Sequence, residues 1–174
     1  PWSYAHQGTD TWPAANAKDL LVGADDETFV FGDIGLIDIN EGAFTLASIA
    51  SDGSVVWEQT YDKPGTLEMG MRMSRTSDDG FLLSGMTAPD YRPYFVRTDA
   101  DGNEMWNSAS VTDLLPENSA SQCYAYELPS GNIAYVFSDD VYKFLTRIEV
   151  DPATGAAIST TTLNYLDILP AGIG

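Results

Sequence analysis

Asp52-Gly53-Ser54-Val55-Val56-Trp57 returns 49 residues later as Asp101-Gly102-Asn103-Glu104-Met105-Trp106, and this recurrence decides how the chain is read. A third copy, Thr154-Gly155-Ala156-Ala157-Ile158-Ser159, keeps the Gly and places Ser where the Trp would fall. Each copy follows an apolar-rich stretch, at 44–50, 94–98 and 144–150. A second block recurs upstream. Asp25-Asp26-Glu27-Thr28-Phe29-Val30-Phe31-Gly32 matches Asp78-Asp79-Gly80-Phe81-Leu82-Leu83-Ser84-Gly85, and Ser130-Gly131-Asn132-Ile133-Ala134-Tyr135-Val136 follows the same plan. Self-similarity at a fixed period of about 50 residues marks a repeat architecture in which neighbouring units bury each other's faces.

Each unit holds four short β-rich segments separated by turn formers, the habit of up-and-down antiparallel sheets. In the second unit strands are expected near 67–75, 80–86, 93–99 and 104–110. The Asp-Gly steps are hairpin turns, because Gly takes positive φ cheaply and Asp bonds its neighbouring backbone. Leu67, Met69, Met71 and Met73 alternate with Glu68, Gly70, Arg72 and Ser74, a period of two that predicts a strand with the Met stripe in the core. The fold expected is all-β, with about three four-stranded antiparallel units: 17–61, 62–110 and 111–163. Residues 1–16 read as the last strand of a preceding unit and its connection, since Trp2 through Gly8 resembles Trp57 through Gly65. Residues 164–174 read as a tail or linker.

Composition narrows the function. Twenty-six acids against eight bases leave a formal charge of −18. The bases are scattered from Lys18 to Arg147, so nucleic acid and anionic membrane surfaces are excluded as partners. No stretch approaches the roughly 20 apolar residues of a membrane helix. Cys123 is alone, so no intrachain disulfide is possible. It lies in an alternating stretch, where a thiol packs as a small hydrophobe. The acidic surface suits salty or extracellular water.

Asp-Gly-x-x-x-Trp closing one unit, with Asp-Asp-Gly-Phe-Leu-Leu-Ser-Gly opening the middle of the next, resembles secreted β-propeller repeats. The pattern is similar to the quinoprotein-type repeats, whose signature is Ala-x-Asp-x-x-x-Gly-x-x-x-Trp. Val150-Asp151-Pro152-Ala153-Thr154-Gly155 matches that signature best, though without its Trp. The resemblance spans about residues 17–163 and is specific for architecture, not activity, because propellers host many unrelated functions. It implies that the three units are propeller blades. It also implies that Trp57 and Trp106 are wedges between neighbouring blades, with Gly53, Gly102 and Gly155 as structural turn residues. Closed propellers have about 4–8 blades, and open sheet edges invite aggregation. The missing strands are therefore expected from the remainder of a longer chain, from other subunits, or from further copies of this one. The ends at Pro1 and Gly174 read as processed or cut.

Trp2-Ser3-Tyr4 with Gly8 and Trp12-Pro13 also resembles the start of α-type carbonic anhydrases, whose zinc takes three His. This chain has only His6. The pairs Asp25-Asp26, Asp78-Asp79 and Asp139-Asp140 offer the two carboxylates of a glycosidase, but the first two recur at equivalent positions before a strand, which points to turn chemistry. Asp99, Asp101 and Asn103 place oxygen ligands at alternate positions, as a calcium loop does. The twelfth position from Asp99 is Ser110, not an acid. Calcium is the single cofactor this pattern admits. No phosphate loop, nucleophile elbow or Cys-x-x-Cys is present. Ala88-Pro89-Asp90-Tyr91-Arg92-Pro93-Tyr94 combines aromatics and Arg on a Pro-stiffened turn, so Tyr91, Arg92 and Tyr94 are the candidate partner contacts.

Three functions compete at this level. The first is a non-catalytic propeller acting as a structural or binding module of an extracellular or lumenal assembly. The second is a fragment of a quinoprotein-like or carbohydrate-active enzyme. The third is a calcium-dependent matrix or surface-layer component.

Overall fold

The computed structural model describes residues 15–36, 41–108, 120–139 and 144–164. The expected strand before residue 15, His6, Asp140, Ser110 and the tail lie outside the described residues.

Tight turns of one design set the architecture. Ala50 donates its N–H to Ser54 O and accepts one from Gly53; Asp99 does the same with Asn103 and Gly102, and Leu128 with Asn132 and Gly131. Thr76, Gly80 and Asp79 repeat the pattern, and the loop from Asp151 to Ala156 is one residue longer. The last loop residue has positive φ in every case: Asp26, Gly53, Asp79, Gly102, Gly131 and Gly155. This is the three-residue hairpin, a type I turn followed by a left-handed residue. Gly fills it without strain, and Asp tolerates it.

The turns join twelve strands. The first sheet runs β1 (Ala15–Val22), β2 (Thr28–Leu36), β3 (Glu41–Ile49) and β4 (Val55–Asp62). The second runs β5 (Leu67–Arg75), β6 (Phe81–Ala88), β7 (Arg92–Thr98) and β8 (Glu104–Asn107), and the third β9 (Ala120–Glu127), β10 (Ile133–Asp139), β11 (Phe144–Val150) and β12 (Ala157–Asn164). Within each sheet the spatial order is the chain order and every pairing is antiparallel. The described residues therefore form an all-β fold of three four-stranded meanders.

Alternation along the strands gives the second sheet two apolar faces, and the first and third sheets close on them. Phe29, Phe31, Phe44 and Leu46 of the first sheet meet Met73, Phe81, Leu83, Tyr94 and Val96 of the second. Leu82, Phe95 and Trp106 on the second sheet's opposite face meet Ile133, Tyr135, Phe137, Ile148 and Val150 of the third. The first strand of each new sheet leads the contact: β5 lies against β1, β2 and β3, and β9 against β5, β6 and β7. No helix among the described residues is long and apolar enough to cross a membrane, which says nothing of a β-barrel.

One expectation needs correction. The Met stripe does not share one face, because a β-bulge between Gly70 and Arg72 interrupts the alternation. Met73 joins the core between the first two sheets, Met71 packs against the core between the second and third, and Met69 is half-buried. The same bulge sets Glu68 and Gly70, opposite Thr87 and Gly85, on the face that looks toward the first sheet.

Candidate functional site

The residues with recurring roles converge on the seams between sheets. Trp57 leaves β4 toward the second sheet, where its ring lies 6.3 Å from that of Phe81 and 6.1 Å from Phe29. A Cβ on Gly102 would come within 2.7 Å of the Trp57 ring, so the indole rests directly on the glycine turn of the next sheet. Tyr61 Oη donates to the carbonyl of the same Gly102 at 2.6 Å. One repeat on, Trp106 rests on Gly155, where a Cβ would meet its ring at 3.0 Å, and its Nε1 donates to Pro152 O at 3.0 Å. Gly102 and Gly155 are thus required twice, by positive φ and by the approach of an indole. Trp106 is buried, whereas Trp57 is only half-buried.

Polar side chains add ties from each sheet to the first strand of the next. Asp19 accepts from Met73 N at 3.0 Å and Asp33 from Gly70 N at 3.1 Å. Asp33 also accepts from Asn16 Nδ2 and pairs with Lys18. Across the second seam Ser74 Oγ donates to Ala125 O at 2.7 Å, and Ser84 Oγ shares its one proton between Arg72 O of its own sheet at 2.9 Å and Cys123 O at 3.2 Å. Within the second sheet Arg97, its side chain only 6% exposed, pairs with Asp78, and across the seam Ser77 donates N–H and O–H to Glu127.

The sequence-derived candidates fall as follows. Asp99 turns both carboxylate oxygens inward: Oδ1 accepts from the backbone N–H groups of Asp101 and Asn103, and Oδ2 from Asn103 Nδ2. These bonds, the Asn103 side chain foremost, lower the Asp99 carboxyl below its usual range. Asp52 and Asp151 are lowered in the same way by Ser54 and Thr154. Among the described residues no group of three His, Cys, Asp or Glu is placed to hold a metal. The first two acid pairs sit in turns, with Asp26 and Asp79 as the left-handed residues, whereas Asp139 ends β10. Cys123 is buried, and burial pushes its thiol up to about 12.

The 88–94 loop divides. Tyr91 is 51% exposed, and Arg92 is half-buried. Tyr94 is not a contact residue: it is 2% exposed, because alternation on β7 turns it into the core beside Phe44, at 5.3 Å between rings.

Three buried polar groups escaped the sequence reading. They are Arg97, Tyr135, whose hydroxyl has no protein partner, and Glu68, which is wholly buried with Oε2 unpaired. Burial raises the Tyr135 phenol and the nearby Arg97 opposes it. On the outer face of the third sheet, Gln122, Tyr124, Tyr126, Val136, Ser138 and Leu145 line an apolar groove of about 330 Å³. Tyr124 is 49% exposed there, although the equivalent faces of the first two sheets are covered.

The chain matches no protein-family model and no curated protein sequence.

Proposed function

We propose that the chain is a run of β-propeller blades serving as a non-catalytic structural or binding module in an extracellular or lumenal assembly. The observation that carries this reading is the joint repeated at both seams, an indole on the left-handed glycine of the next sheet: Trp57 on Gly102, then Trp106 on Gly155. A joint repeated from sheet to sheet builds a ring where its rotation closes, as the blades of a propeller do. The residues with chemical potential support a structural role. The turn aspartates are occupied in holding their own loops, and the buried Cys123 thiol is pushed far from reactivity.

The open groove on the third sheet, rimmed by Tyr124 and Tyr126, is the face that a further blade would cover. Such a blade comes from the rest of a longer chain, another subunit or another copy. Tyr91 and Arg92 remain the proposed partner contacts, and calcium at Asp99, Asp101 and Asn103 is the metal-dependent variant of the same reading.

The test is the native mass of the purified particle against the denatured mass of its chains. Blades within a chain much heavier than 18.9 kDa, or several chains in one particle, are the expected results. A lone 18.9 kDa monomer that stays folded and soluble overturns the reading.

A further inference from the structure

The connection between the first two sheets, Asp62 to Thr66, crosses beneath the buried Glu68. Three contacts meet there. Thr66 N donates to Lys63 O at 3.2 Å, Thr66 Oγ1 lies 2.8 Å from the same carbonyl, and Thr66 Oγ1 also bonds Glu68 Oε1. A hydroxyl has one proton and a carbonyl has none to give. Both Thr66 hydroxyl contacts are full hydrogen bonds only when the Glu68 carboxyl supplies the second proton. Glu68 Oε2 has no partner, as expected of a neutral acid and costly for a carboxylate.

We propose that Glu68 is a proton-operated latch on the joint between the first and second sheets. Protonated, it donates to Thr66 Oγ1, and the Thr66 hydroxyl donates onward to Lys63 O. Ionised, its proton passes to solvent, the Thr66 hydroxyl turns to donate to the carboxylate, and Lys63 O keeps only the Thr66 N–H. The release reaches both sheets: Gly42 N of β3 is held by Thr66 O at 3.2 Å, and Lys63 Nζ stands 6.0 Å from the centre of the Tyr94 ring.

The surroundings favour a neutral acid near physiological pH. Burial raises the Glu68 carboxyl to about 7; the bond to Thr66 and the backbone N–H groups of Lys63 and Glu68 oppose this, and the charge of Asp62 adds to it. The elements packed against this stretch carry Lys63 on the connection, Glu41 on β3, Asp33 with Lys18 on β2 and β1, Asp19 on β1, Tyr94 and Arg92 on β7, and Cys123 on β9. None of the charged groups among them is a hydrogen-bond partner of Oε2.

The latch is tested by following the Glu68 side-chain carboxyl resonance and the amide exchange of Thr66 and Gly42 from pH 5 to 9. Wild type is compared with Glu68→Gln and Thr66→Val. The resonance is expected to titrate near 7, with exchange at both amides, corrected for its intrinsic pH dependence, rising by up to about tenfold per pH unit below the midpoint and levelling off above it. Glu68→Gln, whose amide donates to Thr66 in place of the acid, is expected to stay latched at every pH. Thr66→Val, which removes the hydroxyl that the Glu68 carboxyl holds, is expected to abolish the pH dependence of exchange at Gly42. A Glu68 midpoint near 4.5, or a Gln variant whose exchange tracks wild type across pH, overturns the latch. Neither result bears on the propeller reading, which the particle mass tests separately.

Discussion

Between the first and second sheets Asp19 and Asp33 of the first sheet accept from backbone N–H groups of β5; between the second and third Ser74 and Ser84 direct hydroxyls to carbonyls of β9, and the N–H-to-carboxylate tie, Ser77 to Glu127, has its acid on the later sheet instead. The apolar fillings differ as well. The first seam is a chain of tilted rings, Phe31, Phe44 and Tyr94, with Arg75 set 5.1 Å over Phe29. The second is built on one parallel stack, Phe95 on Tyr135 at 4.0 Å, with Arg97 buried beside it. What persists across both is the indole on a left-handed glycine. The joint is therefore the constant, while the polar ties and the filling are interchangeable solutions to covering an apolar sheet face.

If that comparison is right, damage to the joint outweighs damage to any tie. Trp106→Ala, which empties a buried site, is expected to cost about 3–5 kcal/mol in chemical denaturation. Trp57→Ala is expected to cost less, because that ring is half-buried. Equal and small losses at both positions would break the comparison.

Next comes pH, which acts on the first seam through Glu68. The folded carboxyl of Glu68 keeps its proton up to about 7, whereas an unfolded Glu releases it near 4.5. The folded state thus binds more protons across that interval, and stability falls as pH rises from 4.5 to 7, then levels off. Glu68→Gln removes this slope and is expected to gain on the order of 3 kcal/mol over wild type by pH 8, and almost nothing at pH 4. Matching pH profiles for the two proteins would contradict the assignment of Glu68 to a buried neutral state.

Smaller effects distinguish the ties. Asp33→Ala, which strips a buried acceptor from Gly70 N and from Asn16, is expected to cost about 2–3 kcal/mol, and Ser84→Ala about 1 kcal/mol. A reversed order, read from the same denaturant curves, would mean that hydroxyl ties carry the second seam more heavily than the stack does. The smallest effect is expected from chelation. The Asp99 oxygens already accept three bonds from their own loop, so a chelator should leave the melting temperature unchanged. A drop on chelation would favour the calcium-dependent variant at Asp99, Asp101 and Asn103.

The repeating elements were legible because turn chemistry is local. Asp-Gly at 52–53 and 101–102 announced hairpins, and alternation in 81–88 and 92–98 announced strands. Face assignments were less legible wherever a bulge intervened. One extra residue at Met71 exchanges the faces on either side, so a Met stripe that read as a single core face was divided, and Glu68, read on the polar side, was buried. Tyr94 misled for a related reason: the strand expected at 93–99 already held it, but its face was not assigned, and β7 carries it inward. Arg97 and Tyr135 were invisible because their burial depends on the neighbouring sheet, which no local pattern encodes.

Imaging the purified particle along its short axis tests the central claim most directly. The account predicts a ring of about four to eight wedge-shaped sheets around a channel, with the three described sheets as consecutive members. A solid two-layer sandwich, or a rod of stacked sheets without a channel, would contradict it.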